Sequence, residues 1–257
     1  MLQICWFSTG RDDAALELFK EALSATKTKK IDGKISLCFI NREIGESETS
    51  DRMIKLVRSE KIPLETLSTN RFLNERGLSL KEGRMLFDEE VLRRIEKYRF
   101  DLIFLAGYML IVSPVLFERF QILNLHPSLP GKYKGKWEDV IRKIIENGER
   151  SFGAMIHLVT ERLDEGPPVT YCKLTIDEEE YSSLYEEAKR GNESSYKRLF
   201  MLIRERELTI ELPLVIETLS ALSRGNIEIK GKRVYMGKKE VKGGVDLTEI
   251  IVGKENA

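Results

Sequence analysis

Three side chains stand out for chemistry they could share. Asn124 and His126 lie two residues apart at the end of the apolar run Gln121 to Leu125, and Pro127 follows at once. In an extended strand a spacing of two puts both side chains on one face, so an amide donor and an imidazole converge on one spot. Asp164 lies in Leu163-Asp164-Glu165-Gly166-Pro167-Pro168, a turn-forming segment between two apolar stretches. An amide and a protonated imidazole can hold a carbonyl oxygen as negative charge develops on it. A carboxylate can tune the histidine and order the water that relays a proton. Each residue also has a plainer reading: Asn124 and His126 as a strand-end cap, Asp164 as an ordinary turn aspartate. The second histidine, His157, falls in the alternating run Met155-Ile156-His157-Leu158-Val159 and reads as a hydrogen-bonded sheet residue.

The elements that must position these residues follow from periodicity. Leu2 to Ser8, Lys34 to Ile40, Leu64 to Leu67, Asp101 to Ala106 and Gln121 to Leu125 read as strands. Helical spacing links them over Asp12 to Leu23, Asp51 to Ser59, Phe87 to Tyr98 and a short stretch from Ser113-Pro114 to Phe120. Thr69 to Glu82 reads as a long loop with a partial turn. This alternation predicts an α/β fold, a doubly wound and mostly parallel sheet whose sites gather at the carboxyl ends of the strands. A helix over Glu138 to Asn147 and strands over Gly153 to Thr160 and Val169 to Ile176 complete a catalytic domain over residues 1–176. Residues 177–257 then form an extension packed on it: helical from Asp177 to Ser223, broken near Gly191-Asn192 and bent near Pro213. A small hairpin over Ile227 to Ile229 and Arg233 to Met236 ends the pattern.

Composition narrows the function classes. The 257 residues are 42% hydrophobic, enough for a buried core. Lys plus Arg number 42 and Asp plus Glu 42, so net charge gives no reason to expect a nucleic-acid partner. Cys5, Cys38 and Cys172 sit in apolar runs without metal-type spacing and are expected to be free buried thiols. No basic leader opens the chain and no stretch approaches the roughly 20 apolar residues that span a bilayer. The expectation is a soluble, cytoplasmic protein without membrane association.

Leu105-Ala106-Gly107-Tyr108-Met109, Asn124-Leu125-His126-Pro127-Ser128-Leu129 and Leu163-Asp164-Glu165-Gly166-Pro167, in that order, closely resemble the folate-dependent formyltransferases. Glu211-Leu212-Pro213-Leu214-Val215 and the hairpin after it are similar to the carboxyl terminus of the glycinamide ribonucleotide branch of that family. The resemblance implies 10-formyltetrahydrofolate as co-substrate, small-molecule substrates, direct attack by an amine and no metal, and it leaves a homodimer open. Asn124 and His126 would polarise the formyl oxygen. Asp164 would keep His126 protonated, since a carboxylate partner raises proton affinity, and would assist proton removal. The folate would lie against Arg84, Met109, Val112, Val115 and the segment Glu161, Arg162, Leu163. The acceptor and its phosphate would lie against Thr9, Gly10, Arg11, Gly107, Pro127 and Gly135, with Glu207 or Leu208 near the position of the acidic amine-binding residue.

Several residues depart from the family pattern. Its phosphate turn is replaced by Gly10-Arg11-Asp12-Asp13. A phosphate about 4–6 Å from either aspartate would cost about 3 to 4 kcal/mol per contact at an effective dielectric near 20, unless both simply cap the first helix and point away. Leu110 stands where arginine is common, Pro130-Gly131 replaces Leu-Pro, Lys134-Gly135-Lys136-Trp137 lacks a proline before glycine, and Asp177 to Pro213 is longer. The leading expectation is formylation of glycinamide ribonucleotide in purine biosynthesis. The alternatives are another amine, such as an amino sugar, or an inactive paralogue that binds folate or a nucleotide. Transfer RNA is less expected because no separate basic carboxyl-terminal domain follows. Donor hydrolysis is less expected because no regulatory domain precedes the first strand.

Overall fold

The computed structural model describes residues 1–175 and 179–253. Leu2–Ser8 forms β1, and its buried side chains alternate: Ile4 and Trp6 enter one apolar cluster, Cys5 and Phe7 another. A strand apolar on both faces belongs inside a sheet covered on both faces. Gly33–Ile40 (β2), Leu64–Thr66 (β3), Leu102–Leu105 (β4) and Ile122–His126 (β5) pair in parallel with it in the order β3-β2-β1-β4-β5. Ser151–Leu158 (β6) and Pro168–Thr175 (β7) continue the sheet antiparallel.

The first cluster is covered by Asp13–Lys27 (α1) and Glu48–Ser59 (α2); the second by Thr69–Asn74 (α3), Leu80–Ile95 (α4) and Pro114–Phe117 (α5). Trp137–Glu146 (α6), Glu179–Lys189 (α7) and Glu193–Ser223 (α8) add to the first cluster. Each fully buried Phe, Leu or Ile in these layers contributes roughly 1.5–3 kcal/mol. Within the 31 residues of α8, Leu199, Ile203, Ile210, Leu214 and Leu219 belong to the same cluster as β1, so this helix packs into the core of the sheet. Pro213 sits inside α8 without ending it, and Asn192 opens α8 by accepting from Ser194 N and Ser195 N, at the expected break.

One expectation is corrected, and the tail gains elements beyond those expected. The region read as a loop, Thr69 to Glu82, contains α3 and the start of α4. Ser68 caps α3, and Ser79 with Glu82 forms a reciprocal capping box at the head of α4. Periodicity hid this start because Leu80, Met85 and Leu86 are exposed and only Gly83 and Phe87 turn inward. The expected hairpin is present, Glu228–Lys230 (β8) antiparallel to Arg233–Met236 (β9), and Lys239–Glu240 (β10) adds a third strand to it. Val245–Asp246 (β11) then pairs in parallel with β7 as the eighth strand of the main sheet, and Thr248–Val252 (α9) follows. The expected strand end at Ile176, the helix start at Asp177, the boundary between 176 and 177 and the final residues 254–257 lie outside the described residues. No helix among the described residues is long and apolar enough to cross a membrane.

Candidate functional site

The order of the parallel strands reverses between β1 and β4: β2 and β3 extend one way, β5 the other. Chain segments leaving the carboxyl ends of two such strands diverge and leave a crevice. A cavity of about 910 Å³ opens there. Its walls come from the loop after β1 (Arg11, Asp12), the loop after β4 (Gly107 to Val112), the end of β5, the segment Val159 to Asp164, and α8. The loop after β4 is pinned twice: Met109 N donates to Thr9 Oγ1 at 2.9 Å, and Ser113 N donates to the buried Asp88 carboxylate at 2.6 Å. Burial pushes the Asp88 carboxyl up to about 6, against the Ser113 hydrogen bonds and the nearby Arg84 charge.

Asn124, His126 and Asp164 meet at this cavity. His126 Nε2 donates to the Tyr133 carbonyl at 2.8 Å, so in the neutral ring Nδ1 carries the lone pair. Nδ1 lies 3.7 Å from Asp164 Oδ2. The opposite Asp164 oxygen, Oδ1, lies 3.7 Å from His157 Nε2. His157 Nδ1 donates to the Leu158 carbonyl at 2.9 Å, which leaves Nε2 to accept from Asn124 Nδ2 at 3.3 Å. One of the two Asn124 amide hydrogens is thereby fixed and the other remains for a ligand.

Asp164 is held in an uncommon backbone state, φ 55°, which costs a non-glycine residue of order 1–3 kcal/mol and persists where surrounding contacts impose it. Those contacts are visible. Gly135 N donates to Asp164 Oδ2 at 3.0 Å. Gly166 packs so closely on β6 that a Cβ there would lie 1.6 Å from the Leu158 carbonyl oxygen, so only glycine lets the loop fold back and bring Asp164 to the histidines.

The electrostatics differ from the expectation of a standing imidazolium. Burial lowers the proton affinity of His126; Asp164 and the Tyr133 carbonyl raise it, and burial wins, leaving the value below the ordinary 6.5. Asp164 runs the other way. Burial raises it, but the contacts from His157, His126 and Gly135 N–H outweigh that and hold the carboxyl below its usual range. At neutral pH the site therefore pairs a neutral imidazole with an ionised carboxylate.

Of the other residues anticipated, Arg84, Met109, Val112, Glu161, Arg162, Leu163, Arg11, Gly107, Pro127 and Gly135 line the cavity. Val115, Thr9, Gly10 and Glu207 do not. Val115 sits half-buried in α5. Thr9 is buried and serves as the anchor for Met109 N, while Gly10 N turns inward to Ser8 Oγ at 3.1 Å. Glu207 is fully buried in α8; Glu211, one turn on, faces the cavity instead. The aspartates after Gly10 part ways. Asp12 caps α1 through Ala15 N at 3.1 Å and pairs with Arg11 at 2.8 Å, whereas Asp13 pairs with Arg52 at 2.5 Å and does not line the cavity.

His157, Arg204, Glu211 and Trp137 were not anticipated. His157 enters because β5 and β6 run antiparallel with Asn124 opposite His157, a register that neither strand encodes by itself. Arg204, Glu207 and Glu211 lie on one face of α8, at a spacing of three and then four. Arg204 Nη1 reaches Glu211 at 2.6 Å and Glu207 at 3.3 Å. Burial, with the neighbouring Glu211 charge, pushes Glu207 up to about 8. Glu211 is raised too, by burial and by Asp12, against the pull of Arg204.

Comparison with known proteins bears on the family and the fold. Residues 15–199 match the family described as Formyl transferase. Phosphoribosylglycinamide formyltransferase of Escherichia coli (strain K12) is 31% identical over 156 residues, 60% of this chain and 66% of that protein. The enzyme of the same name from Haemophilus influenzae is 35% identical over 119 residues, 46% of this chain and 54% of that one. The chain thus spans about half to two thirds of these relatives. Among solved structures, phosphoribosylglycinamide formyltransferase from Coxiella burnetii superposes with a TM-score of 0.69 at 21% identity, covering 95% of this chain and 98% of that one. The fold, a mostly parallel sheet with a small antiparallel sheet at its carboxyl end, is shared with it.

Proposed function

Because the chain belongs to the formyl transferase family, we propose that it transfers a formyl group from 10-formyltetrahydrofolate to the primary amine of glycinamide ribonucleotide, in purine biosynthesis. The observation that carries this reading is the meeting of Asn124, His126 and Asp164 at one cavity, with His126 Nδ1 3.7 Å from Asp164 Oδ2. The donor supplies an electrophilic formyl carbon when bound. Leu105, Met109, Val112 and Val159 give its ring system an apolar wall, the segment from Glu161 to Leu163 gives it backbone polar groups, and Arg84 suits an anionic tail.

The free hydrogen of Asn124 Nδ2 is the donor for the formyl oxygen as charge grows on it. His126 acts through Nδ1, because Nε2–H is committed to Tyr133. Neutral before the reaction, Nδ1 takes the proton that the attacking amine loses as its bond to the formyl carbon forms, and the ionised Asp164 stabilises the imidazolium so made. That proton passes to the folate nitrogen as its bond to the formyl carbon breaks, so tetrahydrofolate leaves neutral. His157 keeps the Asn124 amide oriented. Amine-dependent release of tetrahydrofolate on mixing with glycinamide ribonucleotide tests the reading. Folate binding without turnover on any amine would instead make the chain an inactive binding paralogue, and turnover only on other amines would move it elsewhere in the family.

A further inference from the structure

We propose that Arg204 is an anion subsite of the cavity, the point at which the phosphate monoester of the acceptor is held. This inference rests on reading the cavity as a site of amine formylation. The Arg204 side chain lines the cavity, is 16% exposed, and is fixed on two sides. Its Nη1 end is tied to Glu211 and Glu207. Its face lies over the Trp137 ring, 4.8 Å from the centroid, and Trp137 is itself backed by Phe200 at 5.7 Å. The remaining edge, Nε with Nη2, makes no hydrogen bond to the described residues. That edge carries two parallel N–H groups at the spacing of two phosphate oxygens, the geometry of bidentate recognition. Its orientation is set in advance, so little side-chain entropy is lost on binding.

The competing location for an anion is the start of α1, and it is already taken. Asp12 Oδ1 accepts from Ala15 N, and Asp12 Oδ2 receives both Arg11 Nε and Nη2 at 2.9 and 2.8 Å. A phosphate there would meet a carboxylate in its place and an arginine whose fork is filled. Around Arg204 the balance is better. Glu211 offsets the guanidinium, Glu207 is buried with its proton at neutral pH, and Lys136, beside Trp137 on the cavity wall, makes no ion pair with a described residue. Glu17 and Glu138 also line the cavity, so an anion finds a matched edge at Arg204 rather than a generally positive wall.

The test compares glycinamide ribonucleotide with its dephosphorylated nucleoside in the full chain. The ratio of their kcat/KM values should favour the phosphorylated acceptor in the native protein and fall about tenfold to hundredfold in Arg204→Lys, which keeps the charge toward Glu207 and Glu211 but loses the fork. A ratio unmoved by the substitution overturns the proposal. Should the native chain formylate neither acceptor, the functional reading fails. Arg204 is then judged by calorimetric binding of ribose 5-phosphate. Binding at least tenfold weaker in Arg204→Lys supports the subsite, whereas equal binding, or none to the native chain at millimolar ligand, overturns it. Folding of the variant is checked by its thermal transition, and Arg204→Gln provides a second substitution for either measurement.

Discussion

The two ends of the cavity are built differently. At the end proposed for formyl transfer, Asn124, His126 and Asp164 are placed by backbone: a strand terminus, an antiparallel register and a loop that only Gly166 allows to fold back. At the end proposed for the acceptor, Arg11 with Asp12 and Arg204 with Glu211 are placed by side chains that bind one another. Backbone placement tolerates little substitution, because moving one group means moving a strand. Paired side chains can be exchanged without disturbing the sheet. The proposed chemistry is thus fixed by architecture, while the proposed acceptor contacts rest on side chains that can be exchanged without moving the sheet.

The strongest challenge to this contrast falls on the formyl end. Asn124→Ala should lower kcat by about 10²–10³, the usual cost of removing a donor to a developing oxyanion, with the far-ultraviolet spectrum unchanged. Asp164→Asn should lower kcat by about two orders of magnitude, and near-normal turnover would remove Asp164 from the mechanism. The same variant has a pH signature. As a base His126 must be unprotonated, so the acid limb of kcat/KM lies below 6.5 in the native protein. Without the Asp164 charge, which raises His126, that limb moves to lower pH. His157→Phe should lower kcat by about tenfold to hundredfold, since it leaves Asn124 present but unaimed; an effect as large as that of Asn124→Ala would mean His157 reacts directly.

Substitutions toward the other end should touch stability and affinity more than chemistry. Glu207 has a folded value of about 8 against an ordinary 4.5, so the folded chain binds the extra proton. Stability from this group is full below about 4.5 and is lost as pH rises through about 8. Glu207→Gln should therefore flatten the fall of Tm between about pH 5 and 8; an unchanged fall would place the titration elsewhere. The smallest effect is expected for Asp13→Ser. Asp13 is 75% exposed and paired with Arg52 outside the cavity, so kcat/KM should change by no more than about twofold. A larger change would place Asp13 at the acceptor after all.

How much of this was legible in the sequence depended on whether a feature was local. The period of two that put Asn124 beside His126 is local, and so is the alternation that placed both faces of β1 in apolar layers. The start of α4 was also local, written in Ser79 and Glu82, yet apolar spacing alone could not reveal a first turn that faces outward. His157 was read as a sheet residue, and it is one; its presence at the site depends on the pairing of β5 with β6. Glu207 and Glu211 differ by one helical turn, and which of them meets the cavity is decided by how α8 rotates against the core. The protonation of His126 was anticipated from its partner alone, whereas burial, which no short stretch of sequence reports, has the larger effect.

The strands that bound the main sheet bear on how the molecule behaves in a crowd. At one margin stands β3, three residues long; at the other β11, two residues contributed by the carboxyl-terminal segment. A sheet margin invites a neighbouring molecule to add a strand, and the invitation grows with the length of unpaired backbone on offer. Both margins here are too short to template much. Trimming the chain before Val245 would free Thr170 and Tyr171, the two residues that β11 pairs, leave the eight-residue β7 as the margin, and turn a quiet margin into a seed for self-association.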